Sequence, residues 1–103
     1  MADWIDAGPA AALADGDTIS VAVGRRMIAV ARSGGEYFAI EDICTHDGAE
    51  LTGGEIEGAE IICPRHGARF CLRTGAALTP PAYEAVSVFE TRITDGRLWI
   101  LAG

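Results

Sequence analysis

Both histidines of this 103-residue chain and two of its three cysteines fall in two short strings, Cys44-Thr45-His46 and, sixteen residues further on, Cys63-Pro64-Arg65-His66. One sulfur and one imidazole nitrogen arrive as C-x-H, and again as C-x-x-H. Thiolate and imidazole are metal ligands, so the spacing asks for two tight turns brought together at one centre. The fold must therefore present two loops side by side and return the chain between them.

The rest of the chain can do this with strands. Apolar, β-branched and aromatic segments occur at 4–5, 18–23, 27–32, 36–40, 60–62, 86–93 and 97–101, separated by Gly and Asp turn signals. Thr94-Asp95-Gly96 reads as a hairpin turn because Asp-Gly tolerates positive φ; Ser33-Gly34-Gly35 and Gly24-Arg25 read the same way. No segment sustains a helical period, and Gly8-Pro9 limits the one candidate, 7–14, to about a turn. Residues 43–54 and 63–70, which carry the ligand pairs and Gly48, Gly53, Gly54 and Gly67, read as loops. The expected architecture is an all-β, antiparallel base built from both ends of the chain, 1–42 and 82–103, with a subdomain at 43–81 inserted into it. At this length the chain forms one domain with one modest core.

Charge narrows the function. The chain carries a net charge of −7, and all eight of its basic residues are arginine. Phosphate contacts need a basic face, so the charge disfavours nucleic-acid binding. Eight acids and no arginine lie between Glu36 and Glu60, and Arg65, Arg69 and Arg73 follow. That arrangement is either an ordinary solvated surface or a field that steers basic partners. No apolar run reaches the 18 residues of a membrane span. Met1-Ala2-Asp3-Trp4 has no positive region ahead of an apolar run, so no export signal is read there. A reducing cytoplasm is the expected compartment.

The ligand set admits two centres. If both sulfurs hold one iron and both nitrogens another, the product is a [2Fe–2S] cluster of mixed ligation. If all four hold one ion, it is a tetrahedral zinc site, although C-x-H pairs are unusual there. With both imidazoles used, neither a nucleophile–base pair nor a mononuclear iron site remains. The chain then has no catalytic residues of its own.

The string Cys44-Thr45-His46 … Cys63-Pro64-Arg65-His66-Gly67 resembles the Rieske iron–sulfur motif, and Phe70-Cys71-Leu72-Arg73-Thr74-Gly75 is similar to the F-D-x-x-T-G stretch that follows it in many members. The resemblance covers essentially the whole chain and implies a β-sandwich base with an inserted cluster-binding subdomain. It implies one [2Fe–2S] cluster, with Cys44 and Cys63 on one iron and His46 and His66 on the other, the imidazole edges at the surface. Gly48 and Gly67 would turn backbone amides toward cluster sulfurs. High-potential members carry a serine and a tyrosine where this chain has Ala68 and Phe70, and a disulfide where it has Arg65 and Ala49. The resemblance therefore implies a low-potential carrier, near the bottom of the range of roughly −150 to +300 mV.

Such a carrier is not an enzyme. It would be a monomer that takes electrons from a flavin-dependent ferredoxin reductase and passes them to the terminal oxygenase of an aromatic-ring-hydroxylating system. The alternative is a Rieske-like small subunit of a larger redox enzyme, such as nitrite reductase. Cys71, where the family commonly has aspartate, is expected to be a small buried residue. Pro80-Pro81 is either a stiff connection into the next strand or, as the resemblance implies, part of a third loop over the cluster. Phe70 would line the core beside the cluster, and Trp4 and Trp99 would serve packing.

Overall fold

A computed structural model describes residues 4–44, 49–65, 67–80, 82 and 84–101. Nine strands account for most of the regular structure: β1 (Trp4–Pro9), β2 (Thr18–Val23), β3 (Arg26–Ser33), β4 (Glu36–Glu41), β5 (Ile56–Glu57), β6 (Glu60–Ile62), β7 (Arg69–Cys71), β8 (Val88–Thr94) and β9 (Arg97–Leu101). A single 3-10 turn, Ala10–Ala12, follows β1 and is the only helical element among the described residues.

Six strands form one antiparallel sheet in the order β1-β9-β8-β4-β3-β2, so the two ends of the chain lie side by side. The other three form a small sheet, β5-β6-β7. The hairpin turns lie where the sequence marks them. Asp95 and Gly96 both have positive φ (52° and 74°) between β8 and β9, as a type I′ turn requires. Gly34 and Gly35 repeat the arrangement between β3 and β4.

Several elements depart from the sequence reading, β1 among them, which runs on past Ile5 to Pro9 and takes the start of the 7–14 helical candidate. β5 and β7 are strands not expected from the sequence, and β7 takes the end of what reads as a loop at 63–70. Neither has a period of its own: β5 has two residues and β7 three, and both exist because β6 between them supplies the hydrogen bonds. The start of β8 also moves from 86 to Val88. The Ser87 carbonyl accepts from the Glu41 amide at 2.9 Å, ahead of the paired strand.

β3 and β4 connect the two sheets. Ile28, Val30 and Ala39 point to one side and pack with Leu13, Leu98 and Ile100, which closes the six-stranded sheet over its own core. Ala29, Ala31, Phe38 and Ile40 point to the other side and pack with Cys44, Leu51, Ile61, Cys63, Phe70 and Leu72. Strands buried on both faces read as continuous apolar runs rather than alternating ones, as 28–31 does. On the second face β3 offers only alanines, which lets the inserted segment approach the sheet closely.

Candidate metal centre

Each of the two cysteines begins a loop closed in the same way. The Cys44 amide donates to the Ala49 carbonyl at 2.6 Å, and the Cys63 amide donates to the Ala68 carbonyl at 2.7 Å. Both closures span five residues, although one loop carries C-x-H and the other C-x-x-H. Cys44 and Cys63 are 0% and 1% exposed and belong to one buried cluster with Leu51, Ala68 and Phe70. The structure thus brings the two sulfur-bearing residues into one apolar core, at the roots of paired loops. Thr45, His46, Asp47, Gly48 and His66 lie outside the described residues.

The first loop is held at its far side by a carboxylate. Asp42, 6% exposed, is the only buried charged residue among the described ones. Its Oδ1 accepts from the amides of Leu51 and Thr52 at 2.7 and 2.8 Å. Its Oδ2 accepts from the hydroxyls of Ser20 and Thr52 at 2.8 and 2.6 Å. Burial pushes this carboxyl up, but the Thr52 and Ser20 hydroxyls and the two amides outweigh it and hold it below its ordinary value of 3.8. Beside it, the Gly53 amide donates to the Thr18 hydroxyl at 2.7 Å. Sequence reasoning counted Asp42 only among surface acids; its place just before a ligand loop was the available signal.

The second loop runs directly into β7. The Gly67 amide donates to the Cys63 carbonyl at 2.9 Å and closes a turn inside the loop. Gly67 has φ +74°, a conformation that favours glycine. Phe70 is fully buried in the cluster that holds both cysteines, in line with its reading as core lining. The neighbouring strand position corrects another expectation. Cys71 is half-buried, because alternation along β7 turns it away from the core that Phe70 enters.

In that position the Thr74 hydroxyl lowers the Cys71 thiol below its ordinary value of 9.0, against a smaller upward push from burial. The amides of Thr74 and Arg73 and the Arg73 charge add to the lowering. The Thr74-Gly75 turn then closes through the Gly75 amide on the Cys71 carbonyl at 2.7 Å.

Arginines tie the inserted sheet together and to the base. Arg69 bridges Glu57 and Glu60 at 2.8 and 3.3 Å, and Arg73 grips both oxygens of Glu36 at 2.9 Å. Arg73 also lies over the Phe38 ring, 5.3 Å from its centroid. Arg65 is exposed, as are Glu50 and Glu55. Trp4 is half-buried under the Arg92 guanidinium, 4.2 Å from the ring, which fits a packing role. Pro80 is exposed and Ala82 is buried; Pro81 lies outside the described residues.

Two loops closed alike and rooted in one buried pair of cysteines, on an antiparallel β base, are the frame of a metal-binding electron-transfer domain. Residues 3–90 match the Rieske [2Fe-2S] domain, and the chain belongs to that family. Its cofactor is therefore one Rieske [2Fe–2S] cluster and not zinc. The buried sulfur side and apolar lining suit such a cluster, whose thiolates are shielded from water.

The chain is 35% identical to the ferredoxin component of the naphthalene 1,2-dioxygenase/salicylate 5-hydroxylase systems of a Ralstonia species, over 95% of this chain and 94% of that one. It is similar to a chain in the complex of reduced oxygenase and oxidized ferredoxin in carbazole 1,9a-dioxygenase, with TM-score 0.89 and 33% identity, covering 95% of this chain and 92% of that one. A putative NADH-dependent nitrite reductase small subunit from Mycobacterium tuberculosis shares the fold, with TM-score 0.89 at 21% identity over 100% of this chain and 97% of that one. No helix among the described residues is long and apolar enough to cross a membrane.

Proposed function

We propose that this chain is a low-potential Rieske electron carrier. It takes single electrons from a flavin-dependent ferredoxin reductase and passes them to the terminal oxygenase of an aromatic-ring-hydroxylating system. The observation that carries the reading is the buried Cys44/Cys63 pair at the roots of two equivalently closed loops. Cys44 and Cys63 hold one iron of the cluster, and His46 and His66 hold the other. The cluster, once bound, supplies reversible one-electron chemistry. The chain supplies the apolar wall, the loop closures and the docking surface.

Several features support the finer parts of this reading. Relatives at about 35% identity are ferredoxin components of dioxygenase systems. The chain has only two histidines, both assigned to the cluster, so it carries electrons and transforms no organic substrate itself. Ala68 and Phe70, both fully buried, bring no hydroxyl to the centre, which supports a low potential. Sheet membership supports one domain, with a base at 1–42 and 82–103 and a cluster-binding subdomain at 43–81. Exposed Glu50 and Glu55 suit brief, salt-sensitive contacts with basic partners. A cytoplasmic monomer fits these roles.

The test is anaerobic reconstitution with iron and sulfide, followed by visible and electron paramagnetic resonance spectra and a one-electron titration. Expected are a coloured protein, a mixed-ligand [2Fe–2S] signal on reduction, and turnover when a reductase and oxygenase from the same gene cluster are added. A signal that survives replacement of Cys44, His46, Cys63 or His66 by alanine would remove the ligand assignment. Absence of turnover with a functioning signal would remove the partner assignment alone.

A further inference from the structure

Asp42 is two residues from Cys44, buried, and surrounded by uncharged donors. Its four hydrogen bonds come from two amides and two hydroxyls, so among the described residues its negative charge is solvated by dipoles and paired with no cation. An apolar core adjoins it: Leu51, whose amide it holds, is 0% exposed and packs with Cys44 and Cys63. A charge in such a place is weakly screened.

The chain also builds a rigid seat for this group. The Asp42 amide donates to the Met27 carbonyl at 3.0 Å, which anchors its backbone to β3. Ser20 reaches it from β2, and Leu51 and Thr52 reach it from the far side of the ligand loop. Loop, strand and carboxylate are therefore one hydrogen-bonded unit. A purely structural pin would need no charge, since an amide could make the same pattern.

We infer that Asp42 is a built-in anion that holds the reduction potential of the cluster down while it fixes the first ligand loop. Reduction adds one electron to the cluster and so places a second negative charge near the carboxylate. Two residues of chain span at most about 7 Å, so the groups are separated by a distance on the order of 10 Å. At an effective dielectric near 20, Coulomb's law makes this worth roughly a tenfold effect on a one-electron equilibrium. The inference rests on the cluster ligation proposed above.

The test is Asp42→Asn. Its Oδ1 would keep accepting from Leu51 and Thr52, and its amide would donate to the Ser20 and Thr52 hydroxyls, which rotate to accept. The scaffold is kept and the charge is removed. In a mediated dithionite titration the midpoint should rise by about 59 mV, the one-electron equivalent of a tenfold change, with the resonance g-values unchanged. An unchanged midpoint with unchanged g-values overturns the inference.

Should Asp42→Asn fail to take up the cluster, Ser20→Lys decides. Ser20 is exposed, so a lysine there can reach the carboxylate without altering the core. Its ammonium should also raise the midpoint, and no rise overturns the inference. A wild-type protein lacking the mixed-ligand signal would instead sink the ligation reading, which keeps the two failures apart.

Discussion

Gly75 and Val86 meet back to back. The Val86 amide donates to the Gly75 carbonyl at 2.9 Å, and a Cβ built on Gly75 would collide with the Val86 carbonyl oxygen. Gly75 also has φ +78°, a conformation side chains rarely adopt. This contact joins the turn after β7 to the segment that leads into β8. It therefore fixes the inserted sheet against the base at a point remote from the ligand loops in sequence.

Gly75→Ala should cost about 3 kcal/mol or more, combining the positive-φ penalty with a backbone shift. Gly58→Ala is the control. It shares a positive φ of 58° but has nothing within 4 Å of its would-be Cβ, so it should cost about 1–2 kcal/mol. Urea denaturation of both variants checks the difference. Equal losses would mean that the Val86 contact does not matter.

Leu51→Ala and Leu98→Ala should separate the two cores. Leu51 is 0% exposed among the cysteines, and Leu98 is 2% exposed in the core of the base. Each truncation should cost about 2–5 kcal/mol. Leu51→Ala alone should speed loss of visible absorbance when the loaded protein is incubated with an iron chelator under native conditions.

Ala68→Ser should raise the cluster midpoint. Ala68 is fully buried and its carbonyl closes the Cys63 loop, so a hydroxyl there enters the apolar wall beside the second cysteine. One added donor is worth about 1 kcal/mol, or roughly 40 mV for one electron. A midpoint that falls, or does not move, would show that the added hydroxyl does not reach the cluster.

Cys71 should be the thiol that reacts in the folded protein. It is half-buried, whereas Cys44 and Cys63 are 0% and 1% exposed. The Thr74 hydroxyl is the main cause lowering its titration below 9.0, so more thiolate is present at pH 8 than in an ordinary cysteine. Raising the pH toward the shifted value should increase iodoacetamide labelling, and Thr74→Val should move that rise to higher pH. At pH 8 the variant should label more slowly than the wild type. Identical pH profiles would remove Thr74 from the account.

The local signals carried much of this fold and part of its site. Asp95-Gly96 and Gly34-Gly35 placed two hairpins because their positive φ is a property of the residues themselves. The limits of β2 and β6 were readable from β-branched composition between turns. The two ligand strings announced the metal chemistry, since cysteine and histidine at those spacings suit little else. Other features had no local trace. β5 and β7 are too short to show a period and exist only through pairing with β6.

Side-chain direction also had to come from pairing. It decided that Phe70 enters the core while Cys71 does not, and that Ala29 and Ala31 face the inserted sheet while Ile28 and Val30 face the base. Asp42 makes the same point in polar form: an acid looks solvated until Ser20, 22 positions away, and Thr52, 10 positions away, converge on it. Ligand identity and turn conformation were written in single residues and their neighbours. Burial, strand partners and the seat of a charge depend on contacts between distant segments, and those exist only once the chain has folded.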